Sequence, residues 1–500
     1  MTAPTASATR YRGAQPFADD AISRSTFFGR RDAADALAAQ IQANRLVVVY
    51  GKSGLGKSSL LNAGVAPLLR EAGLQPLLLR LNDVGTPLAQ QLMRAVKTEA
   101  ERQHVEMVAG DAQSLWRFFR SLELWHGDVL AKPVLVIDQF EEMFTLHDDD
   151  AREAFLSEFG PLVRGVAPAG ETGGAPALHI VLSLREDFVG LLEDAADRIP
   201  QILDHRFRLR PLDRAAAADA MVGPAALVNP SLATPPFRLA PAFVDTVLDY
   251  LTARADGVGG TATATQVEPF HLQMICQRVE DIVGGRTVAA NAPRFRPGEA
   301  FTLAHFGGSD ALGLTLKKFC RDAVDSLQDG ASRRAARRLC QDYLISPEGR
   351  RLSIEEREIT RVLGLKPEAL AQLVSRRLLR TERRSHSLYY ELGHDAMVEP
   401  ILATQRLQRQ LVGWGLIVVG AVLSLLFWAI VLIAVISFGA LLVQGLDKNL
   451  PTGVTPSVAA TVAVFGLALY AAMAYGATKM FIAGRRHVRR YRKHDRSAAP

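Results

Sequence analysis

The octet GKSGLGKS, Gly51 to Ser58, has the spacing G-x-x-x-x-G-K-[ST] of a phosphate-binding loop. Each residue type has a task in it. Gly51, Gly54 and Gly56 let the backbone wrap an anion with no Cβ in the way. The loop's N–H groups and the N-terminus of the following helix supply a field suited to phosphate. Lys57 places a point charge near the β- and γ-phosphates, and Ser58, followed by Ser59, offers a hydroxyl to Mg²⁺. A second group stands at VLVIDQFEE, Val134 to Glu142. Its apolar strand delivers Asp138 to a C-terminal strand end, where a carboxylate holds hydrated Mg²⁺. Glu141 or Glu142 is then the base that orients an attacking water. A third group, LSLRED, ends another strand with Arg185, a cation placed to meet a γ-phosphate; the competing reading is a solvated arginine at a strand end. Together they point to hydrolysis of a nucleoside triphosphate. The residues alone leave adenine or guanine open.

These side chains need a scaffold that converges on one sheet edge. The sequence predicts it between Arg45 and Leu212, where apolar strands alternate with helical stretches. The strands are LVVVY (Leu46–Tyr50), LLLRL (Leu77–Leu81), PVLVID (Pro133–Asp138), HIVLSL (His179–Leu184) and FRLRPL (Phe207–Leu212). Continuous apolar strands between amphipathic helices imply a parallel sheet covered on both faces. From Pro211 to Glu299 the pattern is mostly helical, broken by the loop GVGGTATAT. Ser353 to Thr360 opens a further helix with a Ser-x-x-Glu capping box, Pro367–Leu379 forms another, and LYYEL (Leu388–Leu392) reads as a strand. Two helices before a short hairpin is a winged-helix pattern.

A chain of 500 residues exceeds one compact domain, and the length suggests about three units. Charged residues make up 22% and the formal net charge is +6. The surplus gathers in RRHVRRYRKHDR, Arg485 to Arg496. Leu411 to Val443 carries no charge, and a second apolar run covers Ser457 to Tyr475. A spanning helix needs about 20 apolar residues. Arg406, Arg409 and the basic tail flank the runs, so the positive-inside rule places both ends in the cytoplasm and the Gln444–Pro456 loop outside. The expectation is a multi-pass protein of the cell inner membrane, in contact with lipid through two helices. The first residues lack the apolar core of a signal peptide. Cys276, Cys320 and Cys340 are odd in number and widely spaced, and read as buried thiols of a reducing compartment.

In order along the chain, YRG-x-x-PF (Tyr11–Phe17), FFGR (Phe27–Arg30), the loop at Gly51–Ser58, DQFEE (Asp138–Glu142), LSLREDF (Leu182–Phe188), EPFHLQMICQRV (Glu268–Val279) and LGHDAM (Leu392–Met397) resemble a bacterial STAND NTPase. This group of signal-transduction ATPases is related to the NACHT and NB-ARC ATPases. The resemblance covers roughly residues 11 to 405. It implies ATP and ADP as ligands, with Mg²⁺, and slow hydrolysis. It places Phe28, Gly29 and Arg30 on the adenine, Pro269 on the base or ribose, and His394 on the ADP β-phosphate. From the residues alone, His394 reads as a core histidine. Arg31 stands where the family usually has Glu and receives no role.

The resulting division is an unordered lead at 1–10, a P-loop nucleotide-binding domain at 11–212, a helical domain at 213–330, a winged-helix domain at 331–405, a transmembrane hairpin at 406–484 and a basic cytoplasmic tail at 485–500. The resemblance implies a switch that is closed with ADP and forms a homo-oligomer with ATP, in bacterial signalling or antiviral defence. The hairpin would be its output or anchor, and the sensor could be a separate protein. One alternative is a membrane-anchored AAA-like remodelling or transport ATPase, although no pore loop is evident. The other is a membrane-tethered winged-helix regulator reading DNA through Arg376, Arg377, Arg380, Arg383 and Arg384. A solvated or domain-facing surface is the favoured reading of that cluster, so nucleic acid is not an expected partner.

Overall fold

The computed structural model describes residues 8–403 apart from 84, 111–112, 172, 256–265, 288–291, 347–350, 385–386 and 395–396, together with scattered positions between 418 and 479. Two units divide the chain at Pro400.

The first unit is built on a seven-stranded sheet. Its strands are β1 (Leu46–Gly51), β2 (Leu74–Leu79), β3 (Glu106–Val108), β4 (Glu123–His126), β5 (Val129–Asp138), β6 (His179–Arg185) and β7 (Arg206–Arg208). β2, β5, β6, β1 and β7 run parallel as neighbours in that order. Their valines, leucines and isoleucines are buried on both faces, under two separate apolar clusters. The expected all-parallel sheet needs one correction. β4 turns into β5 through Gly127 and Asp128, and a two-residue turn can only join antiparallel neighbours. β3 then pairs antiparallel with β4, so the sheet is mixed.

Helices follow the sheet. The segments Arg214–Ala226, Pro241–Ala255 and Pro269–Val283 pack around Phe243, Phe301 and Phe306. Two short strands, β8 (Arg238–Leu239) and β9 (Ala300–Phe301), pair across this part. The chain start is tied into it. Ala8 bridges to Leu232, and Arg10, expected in an unordered lead, is fully buried. Its guanidinium donates to the carbonyls of Pro224, Leu227 and Thr234, while Glu280 accepts from the Arg10 and Tyr11 amides. A buried charge persists only when satisfied in this way.

A three-stranded antiparallel sheet comes last, in the order β10 (Ile354–Glu355), β12 (Ser387–Leu392), β11 (Leu379–Arg384). The helices Glu356–Leu363 and Pro367–Ser375 lie beside it in sequence. The capping box expected at Ser353 is absent, because Ile354 and Glu355 pair with Tyr390 and Tyr389 and the helix starts after them.

The apolar runs expected to form a hairpin lie mostly outside the described residues. Among the described residues no helix is long and apolar enough to cross a membrane. This overturns the expected placement in an inner membrane. With no helix of the required span of about 20 residues among the described residues, the cytoplasmic assignment of both ends loses its basis too.

Candidate functional site

β1 runs into the loop at Gly51, and a helical stretch leaves it at Lys57, with a π-helical turn over Leu60–Val65 before regular helix resumes at Ala66. Gly54 and Gly56 sit at φ +83° and +89°, in the left-handed region that favours glycine. A Cβ on Gly51 would stand 2.7 Å from the Leu209 carbonyl oxygen. Lys57 Nζ donates to the Gly51 carbonyl at 2.9 Å, so the ammonium lies over the mouth of its own loop.

The neighbouring strand ends bring the carboxylates to this loop. Ser58 Oγ donates to Asp138 Oδ2 at 2.5 Å, and Ser183 Oγ on β6 donates to Asp138 Oδ1 at 2.7 Å. Glu141 and Glu142 separate sharply. Glu142 is held by Arg80, whose Nε donates to it at 2.8 Å. Glu141 Oε2 is buried and has no hydrogen-bond partner among the described residues. Burial pushes the Glu141 carboxyl above its usual range, partly offset by its own backbone hydrogen bond and by Lys57. Burial likewise pushes the Lys57 ammonium down, against the pull of Glu141 and Asp138. Arg185, in register with Gly51, donates to Asp187 at 2.6 Å and lies over the Phe188 ring.

The small sheet closes over the loop from the far side. Arg380 Nη1 on β11 donates to Ser53 Oγ at 3.4 Å. His394, just after β12, stacks on Phe270 with ring centroids 4.0 Å apart. A Cβ on Gly54 would stand 1.6 Å from His394 Nε2, so glycine is required where the imidazole meets the loop. Burial first, then Arg351, His271, Arg380 and Lys57, push this imidazole down to about 3. It is neutral near pH 7, with one ring nitrogen carrying a proton to donate.

A cavity of 410 Å³ joins these groups. Its lining combines charged groups, Lys57, Asp138, Glu141, Arg185 and Arg380, with apolar and aromatic ones, Phe17, Phe27, Phe28, Pro269 and Phe270. Arg30 reaches it while donating to the Arg210 and Leu55 carbonyls. Gly29 does not line it; its N–H goes to Asp219. Ser59 lines it, but its hydroxyl accepts from the Phe17 amide at 3.2 Å. An aromatic slot leading to a glycine cradle and a lysine fits a nucleotide. Among the described residues no cluster of three or more His, Cys, Asp or Glu could hold a metal by itself. Ser58 with Asp138 is instead the sparse donor pair that suits Mg²⁺ shared with phosphates and water.

Sequence reasoning missed Ser183, Arg80 and Phe270. It read the Arg380 cluster as a solvated or domain-facing surface, and Arg380 does face another part of the chain, the phosphate loop at Ser53. The side chains of Arg383 and Arg384 lie outside the described residues.

A family model described as Novel STAND NTPase 1 matches residues 11–404. No curated protein matches the chain. Among solved structures, the ADP form of the ORC2 protein of Aeropyrum pernix is similar at 12% identity and a TM-score of 0.36, over 76% of this chain and 95% of that one. A Walker-type ATPase of Pyrococcus abyssi is similar at 14% identity and a TM-score of 0.37, over 77% and 98%. Cdc6p of Pyrobaculum aerophilum is similar at 14% identity and a TM-score of 0.31, over 75% and 94%.

Proposed function

The chain belongs to the novel STAND NTPase family, and from that premise we propose that it is a slow ATPase whose ADP- and ATP-bound forms are the two positions of a switch. The adenine lies against Phe28 and Pro269, and the loop N–H groups and Lys57 hold the phosphates. Ser58 and Asp138 would hold Mg²⁺, which when bound would supply charge neutralisation to the phosphates. Glu141 orients the attacking water, since Arg80 occupies Glu142. Arg185 faces the γ-phosphate.

The observation that carries the switch reading is the position of His394. Its ring lies against Gly54 of the loop and on Phe270 of the helical part, so one imidazole links three elements around the cavity. Donation from His394 to the β-phosphate of ADP stabilises this closed arrangement. ATP binding favours separation of the small sheet from the loop, and the exposed faces assemble into a homo-oligomer. The family membership supports a role in bacterial signalling or antiviral defence.

The test is the nucleotide carried by the purified full chain. ADP is expected in near-stoichiometric amount after extensive washing. Steady-state turnover is expected far below the roughly 10 s⁻¹ typical of enzymes. Nucleotide-free protein that turns over at or above that rate would point to a motor and against a switch.

A further inference from the structure

Two arginines that line the cavity, Arg185 and Arg380, meet at a carboxylate that does not line it. Arg380 and Glu391 face each other across the β11–β12 pair, and Arg380 Nε donates to Glu391 Oε1. Arg185 Nη1, from the end of β6, stands 4.0 Å from the same oxygen. The Glu391 side chain is 8% exposed, and Glu391 is not among the cavity-lining residues. Arg380 also donates to Ser53 within the phosphate loop. A buried carboxylate thus draws on two of the guanidiniums that line the cavity.

We propose that Glu391 is an internal stand-in for the γ-phosphate, and that Arg380, with Arg185, distinguishes a nucleoside triphosphate from a diphosphate. This rests on the nucleotide-site reading given above and adds the residues that tell the two nucleotides apart. Carboxylate and phosphoryl oxygens accept from a guanidinium fork in similar geometry, so they compete for it. A diphosphate leaves the Glu391 pairings intact. A triphosphate brings more charge and draws the arginines into the cavity. Glu391 is then buried without its partners, which disfavours the packing of β11 and β12 on the loop. Presence of the third phosphate is thereby converted into release of the small sheet. A bound diphosphate has no means to trigger this release.

The experiment is calorimetric titration of the full chain with ADP and with a non-hydrolysable ATP analogue, each with Mg²⁺. In Glu391→Gln the competitor is weakened, and the triphosphate-to-diphosphate affinity ratio is expected to rise about tenfold, a coupling of ordinary size. In the double variant Arg380→Gln with Glu391→Gln, a neutral cross-strand pair replaces the charged one and keeps β11 on β12. With Arg380 lost the discriminating cation is gone, and that ratio is expected to fall about tenfold below the wild-type value. Ratios equal to wild type in both chains would overturn the proposal, and the double variant decides if the single one does not fold. Should wild type bind neither nucleotide, or Lys57→Ala bind as wild type does, the fault lies with the nucleotide site and not with Glu391.

Discussion

A Glu141→Gln chain is expected to bind ATP as wild type does and to hydrolyse it about 10²–10⁴-fold more slowly, the usual worth of a positioned general base. The substitution keeps the side-chain shape and removes the group that accepts the water's proton. Asp138 keeps its bonds from Ser58 and Ser183, so the Mg²⁺ ligands are undisturbed. The partner variant Glu142→Gln breaks the ion pair with Arg80 and leaves Glu141 in place, so it should cost far less. The pH profile carries an independent sign. Burial raises the Glu141 carboxyl, and the base works only when deprotonated. Wild-type hydrolysis should therefore fall on the acid side at a higher pH than an ordinary carboxylate would give. That limb should vanish in Glu141→Gln. Equal rates for wild type and both variants in single-turnover measurements would remove the base assignment.

Lys57→Ala is expected to weaken ATP binding by a hundredfold or more, about 3 kcal/mol or above. The ammonium faces the loop mouth, and burial makes its charge costly unless anions surround it. Glu141 and Asp138 supply part of that field, and the phosphates supply the rest. Without the lysine, two carboxylates face the incoming phosphates with less cationic charge opposite them, so the loss exceeds that of one hydrogen bond. Isothermal titration of the full chain measures it directly. Unchanged affinity would show that the phosphates lie elsewhere.

The phosphate loop was legible because its constraint is local. Eight consecutive residues specify two left-handed glycines and a helix start, with no help from distant chain. Four of the five parallel strands, β1, β2, β5 and β6, were legible for a similar reason, since burial on both faces leaves a continuous apolar run. β3 and β4 were not. Glu106, Val108, Glu123 and His126 are exposed, so these strands present only part of an apolar face, and their order depends on the Gly127–Asp128 turn. The partners of Arg380 were not legible because they are set by hairpin register and by domain packing, Glu391 across the strand and Ser53 in the loop. Neither is visible in a basic run. Arg10 was missed because its acceptors at Pro224, Leu227 and Thr234 are more than two hundred residues away. Of the acidic pair at 141 and 142, only the position of Arg80 on the neighbouring strand's end separates one from the other.

The switch reading turns on whether His394 holds the closed form through ADP. The decisive measurement is the ADP dissociation rate of the full-length His394→Ala chain, read together with its mass in solution. The imidazole is neutral and buried, against Gly54 and stacked on Phe270. A hydrogen bond to a charged group contributes about 1.5–3 kcal/mol, so its loss should speed ADP release roughly ten- to a hundredfold. Assembly into larger species without any trigger should accompany it. A variant that melts at lower temperature, yet releases ADP at the wild-type rate and keeps the wild-type mass, would make His394 a packing residue and contradict the switch.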